Sequence, residues 1–318
     1  MNNMSIESDR ETLREYGLTG VLCRPTDIES DAAVIMLGGS EGGMHERDAA
    51  ALAEAGFTAL ALAYFAAGDR PPVLKDIPLE YFSEAVTFLE EQGFAAGSIG
   101  LLGGSRGGEA SLLYASRDSR IGAVVSVVGS GIVTEGIDYY QGRLDDIVRA
   151  GTNSWTEQGQ AITYLPYSPP EDLSHRIDLK VPIPLRDVFP EVPLDPDHLE
   201  QVAISVEWIR GAVLLISAED DQMWDSVSYS QVAYERLREH EHPYPFDHIV
   251  LAGAGHSVAG PPGAQPQTST TSPGPGVIFE LGGTPERNTE ARAEAWRMSC
   301  EFLRTHLPRP MQEAMQED

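Results

Sequence analysis

The sequence predicts an α/β fold with a mostly parallel central sheet and helices on both faces. Two observations predict it. Short apolar runs alternate with helix-length amphipathic segments along most of the chain. Parallel neighbours in a sheet need crossover connections, and the amphipathic segments between the runs supply them. With 318 residues, 42% of them apolar, the chain can bury a substantial core.

In chain order, Leu13 to Arg24 reads as an N-terminal strand pair around Gly17, closed by Pro25. Ala32 to Leu37 is a buried strand, followed by a glycine-rich loop and a helix through Ala49, Leu52 and Ala55 that Gly56 ends. Thr58 to Phe65 is the next strand. Leu79, Phe82, Ala85, Val86 and Leu89 recur at helical spacing, and Ile99 to Leu102 is a strand that leads into a second glycine-rich loop. A helix over Ala110 to Ala115 and an apolar run from Ile121 to Val128 follow. Residues 132–210 break the rhythm; they are rich in Pro, Tyr and Asp, too long for a simple crossover, and are expected to form a lid-like insertion within one domain spanning 1–318. The rhythm resumes with a strand from Ala212 to Ile216, a helix from Ser226 to Glu239 and a last strand from His248 to Leu251. Gly260 to Gly276 reads as a mobile loop. The final helix takes Thr284 as N-cap and Pro285 as its first residue, and buries Trp296, Cys300, Leu303 and Leu307 on one stripe.

Composition excludes several functions. The net charge is −27, and of 22 basic residues only Lys75 and Lys180 are lysine. No basic stripe exists to release counterions, so a nucleic-acid partner is not expected. Cys23 and Cys300 lie far apart and in no metal-ligand spacing, which argues against a disulfide framework and a zinc site. There is no run of about 18 apolar residues, and no basic segment followed by an apolar one at the start, so a cytoplasmic protein without a membrane partner is expected. Acidic residues are spread over the whole length. That pattern suits a concentrated salt medium, where the screening length falls to about 3 Å at 1 M and self-repulsion nearly vanishes.

The pattern G-x-S-x-G occurs twice, as Gly38-Gly39-Ser40-Glu41-Gly42 and as Gly103-Gly104-Ser105-Arg106-Gly107, each directly after an apolar run. Either loop satisfies the local requirements of a nucleophile elbow, in which glycines permit a strained strand-to-helix turn. Strand order separates them. In an α/β-hydrolase the nucleophile comes two strands after the loop that contributes to the oxyanion hole, so Ser105 is the candidate nucleophile. Gly39 or Ser40 then supplies one backbone N–H and Arg106 the other. Of eight histidines, His256 alone follows the last strand in a glycine-framed loop, Gly253-Ala254-Gly255-His256-Ser257, where a general base is expected. The acid is expected after the preceding strand, where Asp220 and Asp221 are adjacent; one would hold the imidazole and the other cap the next helix.

With these residues placed, the chain resembles the catalytic domain shared by acyl-CoA thioesterases and bile acid-CoA:amino acid N-acyltransferases, close to the dienelactone hydrolases. Four stretches carry the resemblance: Ala61 to Phe65 with Leu79 to Phe82, Gly103 to Glu109, Asp220 to Trp224, and Gly282 to Pro285 running on to Trp296. The resemblance covers roughly Ala33 to Leu307. The resemblance implies the α/β-hydrolase fold, with Asp221 as triad acid and Asp220 as the fallback. Arg106 stands where the family has lysine, and no counterpart of the N-terminal β-sandwich domain of eukaryotic members is expected.

The resemblance implies a small-molecule acyl thioester substrate, an acyl-CoA, with no metal and no redox cofactor. Serine at position 105, where the acyltransferases typically have cysteine, points to hydrolysis over acyl transfer. Residues 132–210 hold six basic and fourteen acidic residues, an unfavourable balance for a polyanionic leaving group. A carboxylic ester or a dienelactone therefore stays open as substrate, as does a non-catalytic binding protein on the same scaffold.

Overall fold

The computed structural model describes residues 6–9, 11–26, 30–263, 267–274 and 277–307. From the N-terminus, β1 (Ile6–Asp9), α1 (Glu11–Glu15) and β2 (Gly20–Pro25) precede β3 (Ala33–Leu37), α2 (Glu46–Glu54) and β4 (Thr58–Leu62). A two-residue β5 (Ile77–Pro78), α3 (Glu80–Glu91), β6 (Ile99–Gly104), α4 (Arg106–Ala115) and β7 (Ile121–Val127) follow. An excursion over residues 128–211 contains α5 (Leu144–Ile147), β8 (Trp155–Glu157), β9 (Gln160–Ala161), α6 (Leu173–Asp178) and α7 (Pro196–Val202). The chain closes with β10 (Ala212–Ala218), α8 (Ser226–Glu239), β11 (Phe246–Leu251), β12 (Thr270–Gly274), β13 (Val277–Glu280) and α9 (Pro285–His306).

One eight-stranded sheet, in the order β1-β2-β4-β3-β6-β7-β10-β11, forms the middle layer. From β4 to β11 every pairing is parallel, and β2 runs antiparallel to both β1 and β4. Alternation along the strands sorts the core into two layers. Ile35, Leu37, Leu60 and Leu62 face Phe82, Leu89, Leu112 and Leu237, from α3, α4 and α8. Their neighbours Val34, Met36, Ala59 and Ala61 face Ala49, Leu52, Ala291 and Leu303, from α2 and α9.

Two expectations fail. The strand pair around Gly17 does not form, because Leu13 lies in α1 and is fully buried. Gly17, at φ 70, ends that helix: its N–H and that of Leu18 return to Arg14 and Leu13 carbonyls. A left-handed glycine after a helix reads locally like a hairpin turn. The segment 260–276 is not structureless throughout either. Thr270–Gly274 pairs antiparallel with Val277–Glu280, and Ile183 in the excursion binds the hairpin through the Ile278 carbonyl and the Glu280 N–H. Residues 264–266 and 275–276 of that expected loop lie outside the described residues. The α9 expectation holds in detail: Thr284 accepts from Arg287 N–H and Pro285 opens the helix, although Trp296 is only half-buried. Among the described residues no helix is long and apolar enough to cross a membrane.

Candidate active site

Ser105 sits between the last residue of β6 and the first of α4, at φ 53 and ψ −120. A non-glycine residue in that region is strained, and the surrounding contacts must hold it there. Close packing of the glycines makes the turn feasible. A Cβ on Gly103 would lie 2.1 Å from the Gly107 carbonyl oxygen, and one on Gly107 would lie 2.2 Å from that of Leu37. The second contact also lets α4 press against the first glycine-rich loop. Ser40 in that loop keeps an ordinary negative φ, and no helix begins before Glu46, so the first pentapeptide is not an elbow.

The structure brings Ser105, Asp221 and His256 into one hydrogen-bonded chain. His256 Nε2 lies 3.0 Å from Ser105 Oγ, while Nδ1 lies 2.8 and 3.0 Å from the two Asp221 carboxylate oxygens. Asp221 is 1% exposed, and its Oδ1 also accepts from the N–H groups of Met223 and Trp224. Trp224 meets the His256 ring edge-on and donates its Nε1–H to the Val128 carbonyl, which ties the acid loop to the end of β7.

Asp220 points elsewhere. Its carboxylate accepts from Gly283 N–H and from the Gln222 side chain. The cap of α8 is supplied by Asp225, which accepts from Ser228 N–H, so Asp220 does not perform the capping role expected of it. The His256 loop is held from α9: buried Asn288 accepts from Gly255 N–H and donates to the carbonyls of Thr268 and Gly282. Sequence reading missed Asn288, since an asparagine in a first helical turn carries no distinguishing signal.

A second serine–histidine pair exists, between Ser217 Oγ and His248 Nε2 at 2.9 Å. Ser217 is fully buried in β10 and donates to the Ser226 carbonyl, so it faces no cavity.

Beneath the elbow lies an ion pair that sequence reading also missed. Arg106 is 2% exposed; its Nη1 donates to Glu109 Oε2 at 3.0 Å and its Nη2 to the Thr134 carbonyl at 3.1 Å. Glu109, fully buried, accepts in addition from Thr134 Oγ1, Thr134 N–H and Trp155 Nε1. Burial raises the carboxyl above its ordinary value, opposed by Arg106, Thr134 and Trp155. Every neighbour donates, so the ionised form is the one that fits. The i, i+3 spacing of Arg106 and Glu109 was the available clue.

Of the backbone donors expected around the nucleophile, the N–H groups of Arg106 and Ser40 have no acceptor among the described residues. Gly39 N–H donates to Glu41 Oε1 at 3.3 Å. A Cβ on Gly39 would lie 3.3 Å from Ser105 Cβ, so the loop lies directly against the serine.

Two cavities meet at Ser105. One is apolar, walled by Ile137, Ile147, Val148, Val188, Phe189 and Phe279. The other is the more polar of the two and also carries His256, Glu41, His45, Asp48 and Arg292. Ser40, Ser105 and Tyr139 border both. Burial disfavours a charge on His45, but Asp48 and Glu41 beside it outweigh that and raise its pKa.

Comparison with known proteins places the chain in a family. Acyl-coenzyme A thioesterase 6 of Homo sapiens is 31% identical over 304 residues, covering 94% of this chain and 65% of that protein. Acyl-coenzyme A amino acid N-acyltransferase 1 of Mus musculus is 29% identical over 299 residues, with the same coverage. The chain thus spans about two-thirds of the length of these relatives. Among solved structures, TT1662 from Thermus thermophilus superposes with a TM-score of 0.50 at 20% identity, over 96% of this chain and 100% of that one. An esterase of the bacterial hormone-sensitive lipase family gives 0.50 at 14% identity, over 97% and 86%. The architecture is the α/β-hydrolase fold. The family model described as BAAT / Acyl-CoA thioester hydrolase C terminal matches residues 77–309, and the chain belongs to that family.

Proposed function

We propose that the chain hydrolyses acyl thioesters, acyl-CoAs foremost, through an acyl-serine intermediate. The observation that carries this reading is the hydrogen-bonded chain from Asp221 through His256 to Ser105, at the junction of an apolar and a polar cavity. Ser105 Oγ attacks the thioester carbonyl while His256 Nε2 takes its proton. Asp221 holds Nδ1–H, which fixes the tautomer and stabilises the imidazolium. Charge then develops on the carbonyl oxygen, and the free N–H groups of Arg106 and Ser40 are the donors proposed to receive it, each worth about 3 to 4 kcal/mol in such a role. Collapse expels the thiol, protonated by His256. Water, deprotonated by the same imidazole, cleaves the acyl-serine and releases the acid.

The apolar cavity suits the acyl chain and the polar one the leaving group. Membership of a family whose relatives are named thioesterases and N-acyltransferases supports a thioester as substrate. Carboxylic ester hydrolysis is the second reading, favoured by the carboxylates of Glu41 and Asp48 at the polar opening.

Ser105→Ala is expected to lower kcat on an acyl-CoA by about 10⁴-fold or more and leave the melting temperature nearly unchanged. Residual turnover above about one-hundredth of wild type contradicts the assignment. Paired assays on an acyl-CoA and on the oxygen ester of the same acid separate the two readings. Thioester preference in kcat/KM is expected.

A further inference from the structure

Resting on the mechanism above, we propose that Tyr139 is a positioning residue that sets the Ser40 N–H toward the reacting oxygen, and that the excursion over 128–211 thereby completes the site.

The argument concerns three successive peptide planes beside Ser105. The plane joining Gly38 and Gly39 is held at both ends: the Gly38 carbonyl accepts from Tyr64 Oη at 2.7 Å, and Gly39 N–H donates to Glu41. The plane joining Ser40 and Glu41 is held by Tyr139 Oη, which donates to the Ser40 carbonyl at 2.8 Å. Between them lies the plane whose Gly39 carbonyl accepts from Gly42 N–H at 3.2 Å and whose Ser40 N–H has no acceptor among the described residues. Four glycines, Gly38, Gly39, Gly42 and Gly43, flank Ser40 and widen the conformational freedom of the segment, which the bonds from Gly42 N–H to the Gly39 carbonyl and from Gly43 N–H to the Phe65 carbonyl limit in part. Two tyrosine hydroxyls therefore add to those bonds by holding the planes on either side of the Ser40 N–H.

The two anchors differ in origin. Tyr64 is buried just after β4, in the body of the fold. Tyr139 belongs to the excursion and reaches across 99 positions of sequence to Ser40. Its own place is secured by neighbours: Ile137 N–H donates to the Leu74 carbonyl, and Asp138 accepts from Tyr140 N–H and pairs with Lys75. Tyr139 also borders both cavities, so a thioester bound across them passes beside it. An anchor delivered by the excursion makes the oxyanion site dependent on that segment being seated.

The test is Tyr139→Phe, which removes one hydroxyl and keeps the ring. A donor displaced by a fraction of an ångström acts on the transition state more than on the ground state. Expected are a kcat lowered by roughly tenfold on an acyl-CoA and a KM within about twofold of wild type. Affinity for a boronic acid that forms a tetrahedral adduct on Ser105 should fall by the same factor as kcat, with an unchanged melting temperature. Tyr140→Phe, on the exposed neighbour, serves as control and should match wild type. A Tyr139→Phe enzyme with wild-type kcat, or one whose loss lies wholly in KM, overturns the proposal and leaves Tyr139 as cavity wall. Full activity in Ser105→Ala would instead overturn the mechanism on which it rests.

Discussion

At the scale of single residues, the candidate site is built from buried side chains whose partners are matched to them donor to acceptor. Glu109 receives four donors in a fully buried place, two of them from Thr134 and one each from Arg106 and Trp155. Glutamine there would set an NH2 against donors and strip the Arg106 guanidinium of its counter-charge. Breaking a buried pair in this way costs about 3 to 5 kcal/mol. Glu109→Gln is therefore expected to lower the melting temperature strongly, which differential scanning calorimetry reads directly; an unchanged melting temperature would show the pair to be dispensable. At this scale Ser105 and His256 were legible in the sequence, because each follows a strand in a short loop of telling composition, whereas composition left Asp220 and Asp221 open and the family resemblance chose Asp221. Tyr139 and Asn288 were not. Their partners lie in distant segments, and neither residue belongs to a local pattern.

At the scale of elements, legibility followed hydrophobic contrast. The strand before Ser105 stood out as a short apolar run, buried along its whole length, and the helix Ser226–Glu239 as apolar residues at helical spacing. The hairpin of β12 and β13 did not, since Thr270–Gly274 contains Ser, Pro and Gly and its partners are brought by tertiary contact with Ile183. Helix α9 does two jobs: its stripe covers one face of the sheet, and its first turn carries Asn288, which holds the His256 loop. Removing the Thr284 cap, which satisfies Arg287 N–H, should cost about 1 kcal/mol. Urea unfolding of Thr284→Ala is expected to give a lower midpoint with the slope unchanged.

At the scale of the whole molecule, charge dominates. With 49 acidic against 22 basic residues, many arginines serve two carboxylates at once: Arg120 bridges Glu90 and Asp118, and Arg236 bridges Glu200 and Glu207. Such surface pairs contribute little each, and the remaining carboxylates repel one another. Salt screens that repulsion more than it weakens close pairs. The melting temperature and activity are thus expected to rise from low to molar KCl; a flat or falling response in a thermal melt would remove this reading. The sheet order carries a different consequence, one of timing. Ser105 and His256 are neighbours in space but 151 positions apart, on strands separated by the whole excursion. Under the proposed mechanism, a growing or refolding chain that has completed β7 already holds Ser105, yet His256 cannot reach it until β10 and β11 have joined the sheet. Contacts of such long range form slowly, so the reactivity proposed for Ser105 is expected to be withheld from partly folded chains and to appear at the moment when β11 docks.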